Sequence, residues 1–139
     1  MRRLVPRHWN KQVFTWADFE FFCGLDGVSV YEQPLQERPA FYCVFAGSPS
    51  IFIDHKVKKN RRLWVLFHEL AHHWLHTPEI HWFDGFDQRA EEEAGIVAAC
   101  CLIPQRLLLT RRAQEIVEEY GYPEDLIQAR IEIYRKHKF

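Results

Sequence analysis

Residues 63–76 read Leu63-Trp64-Val65-Leu66-Phe67-His68-Glu69-Leu70-Ala71-His72-His73-Trp74-Leu75-His76, and their period decides the fold around them. Leu63, Leu66, Phe67, Leu70, Ala71 and Trp74 recur at helical spacing and make one continuous apolar face. Val65, His68, Glu69, His72 and His76 lie on the opposite side. The stretch therefore predicts a helix over about 60–76, anchored by one face and presenting imidazoles on the other. His68 and His72 are one turn apart and point the same way. Two imidazoles so placed can share a metal ion, with Glu69 beside them and not needed as a ligand. The spacing H-E-x-x-H is expected by chance roughly 0.04 times in a chain of this composition, so the bare match alone does not decide the chemistry.

A catalytic zinc takes three protein ligands and leaves one position for water. His76 lies about 12 Å along the axis from His68, too far to complete the set from the same helix. The next predicted helix, over 88–102, offers Glu91, Glu92 and Glu93. A triple glutamate is commonly a solvated face. Here Glu91 heads a stripe of small residues, Ala94, Gly95 and Ala98, that lets one helix approach another closely. Glu93 heads a bulkier stripe through Ile96, Val97 and Cys100. Glu91 is thus the expected third ligand, with Glu93 the alternative.

Upstream, Thr15 to Cys23 reads as a short helix with Thr15 as N-cap and Gly24 just past its end. Val28 to Gln33 reads as a strand. Ala40 to Ala46 and Ser50 to Asp54 read as a hairpin turning through Gly47-Ser48-Pro49. Downstream, helices are expected near 111–120 and 124–137, punctuated by Pro104 and the Gly121–Pro123 segment. Strands first and helices after give an α+β class, with an N-terminal antiparallel sheet followed by the histidine helix, the glutamate helix and C-terminal helices.

The 139 residues fit one domain spanning 1–139, and a hydrophobic fraction of 47% supports a true core. The net charge of -1 excludes the strongly basic balance of a nucleic-acid binder. No apolar run reads as a signal peptide or membrane span, so a cytoplasmic location is expected. Cys23, Cys43, Cys100 and Cys101 form no C-x-x-C pair and read as reduced, buried apolar residues.

Three segments together resemble the ImmA/IrrE family of metallopeptidases. Ile51-Phe52-Ile53-Asp54, a basic stretch and Arg62–Phe67 lead into His68-Glu69-Leu70-Ala71-His72, followed by His76. Glu91-x-Glu93-Ala94 leads through Ala98-Ala99 to Leu102-Ile103-Pro104. Tyr120-Gly121-Tyr122 with Arg130 is similar to the family's C-terminal helix. The resemblance implies a small zincin-like domain, with His68, His72 and Glu91 as zinc ligands and Glu69 as catalytic base. It implies a protein substrate, commonly a DNA-binding repressor of the helix-turn-helix kind; the net charge of -1 and the lack of an apolar run separately predict no direct contact to nucleic acid or membrane. Gly95 stands where Asn or Asp is usual and Val97 where Phe is usual, and the first change removes an expected outer-sphere partner of the metal. The expected chemistry is metal-assisted peptide hydrolysis, and the rival is a non-catalytic, metal-containing binding module. His73, His76, His81 or a tyrosine are the candidates for stabilising the oxyanion. The aromatic segment Thr77 to Gln88 is a candidate cleft wall or lid, and the Ser50–Asp54 strand or its partner a candidate edge for an extended peptide.

Overall fold

The computed structural model describes residues 5–76 and 88–139, and of His76 the backbone only. Helix α1 (Trp16–Asp26) opens on a capping box, in which the Thr15 amide donates to the Asp18 carboxylate at 2.8 Å and the Asp18 amide donates back to the Thr15 hydroxyl at 3.2 Å. The helix runs one turn past the expected stop at Gly24 and ends at Gly27, whose φ of 68° is the left-handed cap conformation. Tertiary contact outweighs the earlier glycine, because Asp26, in the added turn, accepts a hydrogen bond from the Trp74 indole at 3.2 Å.

Three strands follow: β1 (Ser29–Glu32), β2 (Ala40–Phe45) and β3 (Ser48–Ile53), in the spatial order β1-β3-β2. The hairpin between β2 and β3 turns through two residues, Ala46 (φ 52°) and Gly47 (φ 82°), so Ser48 and Pro49 belong to β3 and not to the turn. The sheet is mixed, and not antiparallel throughout: β2 pairs antiparallel with β3, whereas β1 pairs parallel with it, Val30 opposite Ile51 and Tyr31 opposite Phe52. Ser50–Ile53 is buried along its whole length, which puts β3 at the centre and sends β1 to its far side. Residue alternation reveals strands but not their order, so the parallel pairing was not visible in the chain.

The helices are α2 (Lys59–His76), α3 (Gln88–Leu102), α4 (Gln105–Thr110), α5 (Ala113–Tyr120) and α6 (Glu124–His137). The class is α+β, a three-stranded sheet followed by helices. The helix expected from 111 begins at Ala113, and the unexpected short α4 starts directly after Pro104, which stands at its N-cap. The predicted apolar face of α2 is in the core: Leu66, Phe67, Leu70, Ala71 and Trp74 are all buried, with Phe14 and Phe19 against Phe67. All four cysteines are free and buried.

The end of α3 is clamped by the segments that carry the C-terminal resemblance. A helix leaves its last carbonyls without internal partners. The Tyr122 hydroxyl donates to the Leu102 carbonyl at 2.8 Å, and the fully buried Arg130 donates through Nε to the Ile103 carbonyl. Arg130 also donates to Asn10 Oδ1 at 3.1 Å and to the Phe139 carbonyl at 2.9 Å, tying both flanks of the chain to α3. Tyr122→Phe should lower stability by about 1–2 kcal/mol, since it strands a buried carbonyl without removing a ring. Urea denaturation with an unchanged m value and a lower midpoint is the expected result.

Candidate metal centre

Helices α2 and α3 run past each other in opposite directions, so that His72 meets Glu91 while His68 lies beside Gly95. Small side chains make the approach possible: Ala94 and Ala98 are fully buried, while at Gly95, beside His68, an added Cβ would make only an ordinary contact of 3.9 Å with Cε1. Within this junction His68 Nε2 lies 2.9 Å from Glu91 Oε1, and His72 Nε2 lies 3.0 Å from Glu91 Oε2. One carboxylate thus faces two imidazoles, one oxygen to each.

The electrostatics follow from that geometry. Hydrogen bonds from His68 and then His72 hold the Glu91 carboxyl far below the ordinary carboxylate range. Burial works against the His68 cation, but Glu91 and Glu69 outweigh it and raise that imidazole's pKa. Glu69 shifts the other way from Glu91: burial raises its pKa, against the pull of His68, His72 and Arg38. It is 9% exposed.

The donor set fits a metal ion. One ligand atom from each of His68, His72 and Glu91 lies within 4.8 Å of the other two. A tetrahedral ion with bonds of about 2.0–2.1 Å holds its ligands roughly 3.4 Å apart, within reach of small side-chain adjustments here. Among the described residues this is the one such group of three. Glu93 points elsewhere on the helix and pairs with Arg89 at 3.6 Å.

His68, Glu69 and Glu91 open into a cavity of about 730 Å³ walled by α2, α3 and α6, with Arg38, Pro39 and Ala40 at its margin. His73 is not part of it. The imidazole is buried on the other side of α2, where Nδ1 lies 2.8 Å from the Tyr42 hydroxyl and Nε2 lies 3.6 Å from Asp26. One residue along a helix is a rotation of about 100°, which carries His73 from the metal side into the core. None of the five tyrosines lines the cavity. The side chain of His76, together with His81 and the aromatic segment Thr77–Asp87, lies outside the described residues. The sequence reading had not placed Arg38 or α6 at the site. Arg38 gives no signal in the chain, while Ala129 and Ile133, four residues apart on an amphipathic helix, do.

A match to the Peptidase_M78 family, described as the IrrE N-terminal-like domain, covers residues 24–132. The chain belongs to this family. The IrrE-like match takes in the sheet, both helices of the metal centre and most of α6, so family membership and geometry concern the same part of the molecule. No curated protein matches the chain. Family membership makes it a member of a metallopeptidase family with a His/His/Glu group suited to a metal.

Separate replacement of the two glutamates tests the geometry. Glu91→Gln should lower metal affinity by more than the roughly 10–100-fold typical of outer-sphere changes, and Glu93→Gln should leave it within a few-fold of wild type. Competition with a chromogenic chelator reads both.

Proposed function

We propose that the protein is a zinc-dependent endopeptidase that hydrolyses a peptide bond in a protein substrate, a helix-turn-helix repressor or a similar regulator. One observation carries the reading: the buried Glu69 carboxylate opens into the same cavity as His68 and Glu91, adjacent to the three-ligand cluster but outside it. A site that only held metal for structure would need no such carboxylate. Two imidazoles and one carboxylate are a donor set suited to zinc with a coordination position left over.

Zinc in that set would polarise the scissile carbonyl and acidify a water molecule. Glu69 takes the proton from the attacking water and delivers it to the departing nitrogen. Burial raises its pKa, which favours uptake of a proton from water. Arg38, whose charge reaches Glu69, supplies the cationic side of the cleft. An extended substrate can lie along β2. The central strand β3 is paired on both sides, whereas among the described residues β2 has one edge without a partner strand, and it starts at the cavity margin.

The choice of a repressor rests on the sequence resemblance to ImmA/IrrE proteins. Under this reading any effect on gene expression runs through the protein substrate, in keeping with the net charge of -1. Four buried free cysteines accord with a reducing, cytoplasmic setting. Among the described residues no helix is long and apolar enough to cross a membrane. The non-catalytic reading has one observation in its favour, Gly95 at a position beside His68 where no polar side chain supports the ligand.

Glu69→Gln separates the two. It should retain metal and fold while losing about 10²–10⁴-fold in the rate of cleavage of a purified repressor substrate. A mutant that cleaves at the wild-type rate removes Glu69 from the mechanism.

A further inference from the structure

Beyond the metal centre, most of the cavity wall is apolar. Trp64 and Val65 come from α2, Ile96 from α3, and Ala129 and Ile133 from α6. Trp64 and Val65 stand four residues before His68 and Glu69, so the apolar wall begins about 6 Å from the reacting groups along the helix. Gly95 sits between this wall and the histidines and contributes only backbone. Arg61, at the margin, is held by Asp125 through two hydrogen bonds of 2.9 and 2.8 Å and lies over the Trp64 ring, so its charge is already matched.

A stretch of apolar wall beside a hydrolytic centre favours a large apolar side chain, because covering a leucine- or phenylalanine-sized group is favourable and covering a charge is not. We infer that this cavity is the subsite for a large apolar side chain next to the scissile bond, and that Gly95 keeps it open. The inference rests on the metallopeptidase reading and adds the substrate's chemistry to it. A Cβ on Gly95 makes only an ordinary contact with the His68 ring, and because Gly95 lines the cavity a larger side chain there has that space to extend into. Leucine also favours a helix more than glycine does, which keeps the variant folded.

The test is calorimetric titration of the zinc-loaded chain with two amino-acid hydroxamates, leucyl and alanyl, that differ only in the side chain beside the metal-binding group. Wild type should bind the leucyl compound about 10- to 100-fold more tightly. Gly95→Leu and Ala129→Phe should each cut that ratio to below about threefold while the alanyl compound still binds. Ala129→Phe fills the cavity from α6, away from His68, and so separates loss of the pocket from disturbance of a ligand. Equal affinities in wild type, or an undiminished ratio in both variants, would overturn the subsite and leave the peptidase reading standing. If neither hydroxamate binds, the peptidase reading falls. Methyl NMR of Ile96 and Ile133 with N-acetyl-leucine amide then judges the pocket alone. Shifts that vanish in Gly95→Leu uphold it, and silent methyls overturn it.

Discussion

A carboxylate held between two imidazoles is the constraint from which the rest of the molecule can be read. Glu91 faces His68 and His72 at 2.9 and 3.0 Å, and this requires the α2 and α3 backbones to come close. Close approach needs residues with little side chain, and the fully buried Ala94 and Ala98 supply them on the face that Glu91 heads. It also needs α3 fixed along its axis, since a slide of one turn, about 5.4 Å, would take Glu91 out of reach of both rings. The opposite end of α3 provides that fixation through Tyr122 and Arg130 on its last carbonyls. The polar groups at one end of the helix thereby set the position of the ligand at the other.

The same logic explains why α2 is anchored on the side away from the metal. Its buried face joins the core, and two of its polar residues reach back to α1: Trp74 donates to Asp26, and His73 stands between Asp26 and Tyr42. A buried imidazole hydrogen-bonded to Tyr42 through one nitrogen, with Asp26 3.6 Å from the other, restrains rotation about the helix axis as well as position along it. Rotation matters here because His68 and His72 must both point at one place.

Much of this was legible in the chain. The alternation of apolar and imidazole positions over 63–76 located both the helix and its two faces, because a face that meets the core must be apolar wherever it meets it. The small-residue stripe behind Glu91 was legible for the same reason. Other features were not. Gly24 reads as a helix stop, yet the helix continues because Asp26 finds partners 47 and 48 residues away in sequence, His73 and Trp74. The parallel partner of β3 depends on which strand is most deeply buried, a property of the assembled sheet. His73 was a candidate for stabilising the oxyanion, and the 100° step of the helix separates it from the cleft. Arg38 reaches the site from a loop with no pattern of its own, and the cavity wall on α6 joins α2 and α3 only through tertiary packing.

The two carboxylates of the site differ by environment, not by residue type. Glu91 is part-exposed and meets imidazole N–H groups with both oxygens, so its proton is lost far more readily than usual. A ligand for a divalent cation needs this property, a charge that persists in the absence of the ion. Glu69 is buried, and burial is the larger influence on it, so its anion is less stable and its proton affinity higher. Had Glu69 met the imidazoles as Glu91 does, its proton affinity would be lowered and not raised. Had Glu91 been buried like Glu69 without them, it would bind a proton in competition with metal. Pairs of carboxyl groups whose surroundings push them apart in this way mark acid–base sites. The separation arises from one helical step along α2, which turns Glu69 away from the point where His68, His72 and Glu91 converge.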